Sequence, residues 1–169
     1  MAERAEKWPV TFGEWEARAA EILPRRAYDY VAGGAGDEST IRSNRRAFDR
    51  WALRPRMLMG NAQRDLGVSI LGTASPVPLF LAPVGVQGIL HRDGEIASAR
   101  AACSRRIPLV VSSAASFSME EIAEALEDSP RWFQLYWVTD GDVVRSFLRR
   151  AEAAGYTAVV VTVDTLTLG

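Results

Sequence analysis

Residues 79–83 read Leu79-Phe80-Leu81-Ala82-Pro83, and the same kind of segment returns three times. The later copies are Pro108-Leu109-Val110-Val111-Ser112-Ser113, Trp132-Phe133-Gln134-Leu135-Tyr136 and Ala158-Val159-Val160-Val161-Thr162-Val163-Asp164. Each is a continuous apolar run of strand length, as expected of strands buried on both faces. Helical spacing fills the intervals. One helix is expected near Gly94–Arg106. Another follows the capping box Ser118-Met119-Glu120-Glu121, with Ile122, Ala125 and Leu126 inside. A third runs from Asp140 to Ala154, burying Val143, Val144, Phe147, Leu148 and Ala151, with Gly155 at its C-terminal cap. Strand and helix alternating at roughly 25 residues predicts parallel βαβ units. An open doubly wound sheet and a (β/α)8 barrel both fit. The strand ends favour the barrel: Pro83, Ser112 and Ser113, Gln134 with Tyr136, and Thr162 with Asp164 would converge on one mouth.

Upstream, Thr11-Phe12-Gly13-Glu14 is a capping box opening a helix with Trp15, Ala19, Ile22 and Leu23 on its inner face. Pro24 punctuates it. Residues Ala27-Tyr28-Asp29-Tyr30-Val31 read as a short aromatic segment, followed by a glycine turn at Gly33, Gly34 and Gly36. No apolar strand precedes these glycines and no GKS or GKT follows, so a phosphate loop is not indicated. Asp37 to Arg50 predicts a helix with Ile41, Ala47 and Phe48 inside. Residues 51–78 read as irregular chain, with a hairpin arm in Asp65–Gly72. The expected division is therefore 1–78, a helical and hairpin segment, and 79–169, the strand–helix repeat.

The bulk numbers are those of an ordinary folded chain: 169 residues, 48% hydrophobic, 24% charged, net charge −1. Nothing in that balance points to nucleic acid or to a membrane surface. Apolar runs such as Val77–Val86 are too short and too interrupted to span a bilayer. One cysteine, Cys103, and one histidine, His91, cannot form an internal disulfide or a zinc site. No metal is expected. The N-terminus lacks the apolar core of a signal peptide, and a cytoplasmic setting is expected.

Five motifs carry a resemblance: YDYVAGGAGDESTIRSNRRAFDRWALRPRML, LAPVGVQG, GEIASARAA, WFQLY and VVVTVDT. In this order and spacing they resemble the FMN-dependent 2-hydroxy-acid dehydrogenases and oxidases. RWALRPRMLMG, FLAPVGV and RRAEAAGY are most similar to the lactate 2-monooxygenase branch. The resemblance implies an α/β fold: the N-terminal half of a (β/α)8 TIM barrel, its first four strands, preceded by a helical and β-hairpin segment. It implies FMN as cofactor, a small, lactate-like L-2-hydroxy acid as substrate, and a homo-oligomer for the full-length family. Carried over position by position, Tyr30 contacts the substrate carboxylate, and Pro83, Val84 and Gly85 lie against the flavin. Ser112, Gln134 and Thr162 bond the polar edge of the ring. Tyr136 sits near the substrate hydroxyl, and Asp164 orients the catalytic histidine. Ala114 stands where glycolate oxidase carries a bulky tryptophan, which argues against a glycolate preference. The family's catalytic histidine, substrate-clamping arginines, flavin-facing lysine and phosphate loops correspond to positions beyond Gly169.

A whole barrel takes about 250 residues. The chain alone is therefore expected to be inactive. It would work as a half that pairs its open strand edges with a second copy or a complementing C-terminal half, or it is a non-catalytic remnant. His91 reads as a loop residue rather than the base. Cys103 reads as a small buried apolar residue, and Arg149 and Arg150 as a solvated helix edge.

Overall fold

A computed structural model describes residues 8–60 and 63–164. Two compact units divide the chain between residues 62 and 63. The first holds three helices: α1 (Phe12–Ile22), α2 (Arg25–Ala32) and α3 (Ser39–Ala47), with a 3-10 turn at Phe48–Arg50. The capping box at Thr11 and Glu14 forms as the sequence predicts. Pro24, which fixes φ and has no N–H to lose, caps α2. The aromatic segment 27–31 thus lies within a helix. The expected inner faces of α1 and α3 are not buried: Trp15 and Ile22 are exposed, Ala19 and Leu23 half-buried, and Ile41, Ala47 and Phe48 exposed. Helical spacing shows which side chains share a face; it does not supply something to cover that face. Ala27 alone is buried among these helices. α1 and α3 are tied by the Arg45–Glu16 pair at 2.7 Å and by Arg45 over the Phe12 ring at 4.7 Å.

The second unit opens with a two-stranded hairpin, β1 (Val68–Ile70) and β2 (Thr73–Ser75). Its two-residue turn, Leu71-Gly72, has positive φ at both positions (48° and 77°), the primed geometry whose twist matches the paired strands. The parallel sheet follows: β3 (Leu109–Ser112), β4 (Arg131–Tyr136) and β5 (Val159–Thr162), adjacent in chain order. The segment 79–83 is not a buried strand. It meets the sheet through a single parallel bridge, Leu81 to Leu109, with Leu79 and Leu81 exposed, because it is an edge with one neighbour. The crossover helices are α4 (Gly94–Arg105), α5 (Met119–Leu126) and α6 (Gly141–Ala153).

Register and alternation sort the two faces of the sheet. Leu109, Val111, Phe133 and Leu135 point one way, into a core with Ala99, Ile122, Leu126, Val144 and Ala151 from the helices. α4 packs on α5 and α5 on α6, so the helices form one layer. Phe133 packs against Phe147 and Tyr156, the latter edge-on at 6.0 Å. The Tyr156 hydroxyl donates to Met119 O at 2.7 Å, and burial pushes that hydroxyl's pKa well above the usual tyrosine value. Within α6 only Val144 and Ala151 are fully buried; Phe147 is partly covered, and Val143 and Leu148 are exposed. Cys103 is half-buried rather than buried. Arg149 and Arg150 are exposed, as expected of a solvated helix edge, and Arg150 in addition grips Glu120 of α5 through two 2.8 Å bonds.

Candidate active-site mouth

The other face of the sheet carries Val110, Ser112, Trp132, Gln134, Tyr136, Val160 and Thr162. Its N-terminal end is closed by the hairpin. The Trp132 indole N–H donates to Thr73 Oγ1 at 2.9 Å, and Phe80 packs on the same indole at 4.8 Å. Its C-terminal end is polar. Ser112 Oγ donates to Gln134 Oε1 at 3.1 Å, and Gln134 Nε2 donates to Thr162 Oγ1 at 2.9 Å. One side chain from each of three successive strands thus forms a continuous row.

Hydrogen-bond accounting shows what this row can offer a ligand. Gln134 is 2% exposed, and a buried amide must be satisfied. Its oxygen accepts from Ser112 Oγ and from the Ser113 N–H at 3.2 Å. Ser112 Oγ in turn accepts the Ala114 N–H at 3.1 Å. One Gln134 amide hydrogen and the Thr162 hydroxyl hydrogen remain as donors. They suit a planar ring bearing carbonyl oxygens and basic ring nitrogens along one edge.

Beside this row runs the turn after Leu81. Pro83 and Val84 are exposed and Gly85 is half-buried. A Cβ on Gly85 would lie 3.2 Å from both Ala114 Cβ and Ala114 O, so glycine permits the close approach. Val86 N–H donates to Ala114 O at 3.0 Å. Tyr136 ends β4, partly exposed, its backbone N–H on Ser113 Oγ at 3.3 Å. Asp164 sits in the bend just after β5, exposed. Thr165, which closes the VVVTVDT motif, lies outside the described residues. Pro83, Val84, Gly85, Ser112, Gln134, Tyr136, Thr162 and Asp164 therefore all sit at the C-terminal ends of neighbouring strands of one unit. Tyr30 belongs to the first unit, on α2, with 68% of its surface exposed. Tyr28 is half-buried. His91 is a loop residue whose Nδ1 accepts the Asp93 N–H at 3.1 Å.

Glu95, within GEIASARAA, is not among the residues singled out by sequence, yet it is 3% exposed. Its Oε1 accepts the N–H groups of Gln87 and Ser116, each at 3.0 Å, while Oε2 is buried without a partner. The available signal was a lone acid in a helix otherwise built of small residues on its inner side.

Strands in sequential order, helices in one layer and a polar row at the C-terminal strand ends define a segment of a β/α barrel seen at its ligand-binding mouth. Residues 19–169 match the family model described as FMN-dependent dehydrogenase. The chain belongs to that family. It is 39% identical over 162 residues to an L-lactate oxidase of Lysinibacillus sphaericus, covering 96% of this chain and 42% of that protein. It is 42% identical over 160 residues to 2-hydroxyacid oxidase 1 of Homo sapiens, covering 95% of this chain and 43% of the relative. Among solved structures, a lactate oxidase of Pediococcus acidilactici superposes with a TM-score of 0.89 at 34% identity, over 96% of this chain and 45% of that one. The chain spans less than half the length of the relatives it matches, and its fold is the N-terminal half of the barrel.

Proposed function

We propose that this chain is the N-terminal half of an FMN-dependent oxidase of small L-2-hydroxy acids, with lactate-like substrates and a lactate 2-monooxygenase-type outcome. The Ser112–Gln134–Thr162 row carries the reading, because its two remaining donors match the polar edge of a flavin. Pro83, Val84 and Gly85 would line the ring with backbone. When bound, the flavin would supply the redox chemistry, a two-electron oxidation of the hydroxy acid. The chain's own residues bind and orient. Tyr30 would donate to the substrate carboxylate and Tyr136 to the region of its hydroxyl. Asp164 would hold a histidine from the other half in one orientation and favour its protonated form. Ala114, small and exposed at the mouth, leaves room for a substrate larger than glycolate.

By this reading the isolated chain turns nothing over, since it holds neither the base nor the carboxylate clamp. The exposed outer strand supports a second element of the proposal: β5 is an edge of the described sheet, and its Val159 and Val161 are each 44% exposed. A complementing C-terminal half, or a second copy, would cover them.

The test is a flavin fluorescence titration of the purified chain, followed by lactate. FMN binding that falls at least about tenfold in Gln134→Leu, with no bleaching by lactate, is expected. Bleaching of flavin by lactate in the chain alone would overturn the inactivity, and equal affinity in Q134L would overturn the site.

A further inference from the structure

Two features that a stable fold normally avoids lie side by side. Val86 is β-branched yet adopts the left-handed conformation, at φ 46° and ψ 36°. Glu95 is a buried carboxylate with one oxygen unpartnered. They are linked through the backbone, because Glu95 Oε1 accepts from Gln87 N–H, one residue after Val86. The same oxygen accepts from Ser116 N–H in the loop after β3, so one atom ties two mouth loops together.

The surrounding contacts serve the same junction. Gly88 N–H donates to Ser116 Oγ at 2.9 Å. The Gln87 side chain accepts from Ser98 Oγ at 2.7 Å and donates to Val84 O at 3.1 Å. A Cβ on Gly94 would lie 3.0 Å from Gly88 N and 3.2 Å from the Phe117 ring, so glycine lets α4 start against the turn. Strained backbone persists only where its surroundings over-determine it, and here the network bears on the turn that carries Pro83–Gly85.

We infer that Glu95 is a positioning residue: its carboxylate locks the left-handed turn at Val86, so that Pro83–Gly85 present one backbone conformation at the mouth. The role at the flavin rests on the function proposed above; the tie itself does not. Leucine at 95 would remove the acceptor and strand both N–H groups. Glutamine would keep one acceptor oxygen. Glycine at 86 adopts positive φ without cost, making the tie less necessary.

Backbone amide exchange, followed by NMR on the 169-residue chain, and FMN titration on the same samples test this. Glu95→Leu should speed exchange at Gln87 and Ser116 by about tenfold, leave Phe133 and Leu135 unchanged, and weaken FMN by about tenfold. Glu95→Gln should recover most of both, and Val86→Gly added to E95L should bring FMN affinity to within about threefold of the starting chain. Unchanged exchange at the two amides, or loss of protection throughout the sheet, overturns the tie. Faster exchange at the two amides with unaltered FMN affinity overturns the flavin role. If the unmodified chain binds no FMN, the flavin reading fails and takes that role with it, while the exchange rates still decide the tie.

Discussion

Helices α1 and α5 begin with the same device and end in opposite surroundings. Thr11 with Glu14 and Ser118 with Glu121 form reciprocal capping boxes with both bonds present. Yet α1 buries no residue, whereas α5 buries Met119, Ile122, Ala123 and Leu126. The pair separates two contributions to a helix. The cap is a contract among four neighbouring residues and forms wherever they occur. Burial requires other elements, and α5 has β3, β4, α4 and α6 around it.

The sharpest way to break this contrast is truncation on each inner face. Ile122→Ala should cost about 2–5 kcal/mol, since it empties a fully buried site. Trp15→Ala, at a residue 47% exposed, should stay within about 0.5 kcal/mol. Urea unfolding followed by circular dichroism measures both, and comparable losses would mean that α1 has a core of its own.

The caps themselves should behave alike. Thr11→Ala and Ser118→Ala should each cost about 1 kcal/mol of local helix stability. Amide exchange in the first turn of each helix reads this, and a difference well beyond that figure would show that packing strengthens the cap.

The smallest effect is in acid. Both box carboxyls are held below the ordinary glutamate pKa. For Glu14 the backbone N–H of Thr11 comes first among the causes; for Glu121 it is the Ser118 hydroxyl. A carboxyl depressed in the folded state contributes stability that is present above its unfolded pKa and lost as pH falls through its folded one. Carboxyl carbon titrations should therefore show Glu14 and Glu121 both protonating below the ordinary glutamate value as pH is lowered. A Glu14 that titrates at the ordinary glutamate value would leave α1 without its box.

The same division explains what could be read in advance. Both capping boxes, the order of strands and helices, a hairpin arm within Asp65–Gly72 and the polar strand ends are local or periodic signals, and residues such as Ser112, Gln134 and Thr162 stood out as polar groups on apolar strands. Exposure on α1 and α3, the reduction of 79–83 to one bridge, and the Glu120–Arg150 grip depend on what lies next to each element in space. Glu95 was missed for that reason too. Its two partners sit 8 residues before it and 21 after it, and no pattern within the helix announces them.

The indole of Trp132 and the amide of Gln134 stand two positions apart on one strand face, the first sealed beneath by Thr73 and Phe80. Two strand residues span roughly 7 Å. That short step sets a dry floor directly under the polar row. Whatever rests on the row then has an indole beneath it, so a change at Thr73, on the hairpin, would reach the row through Trp132.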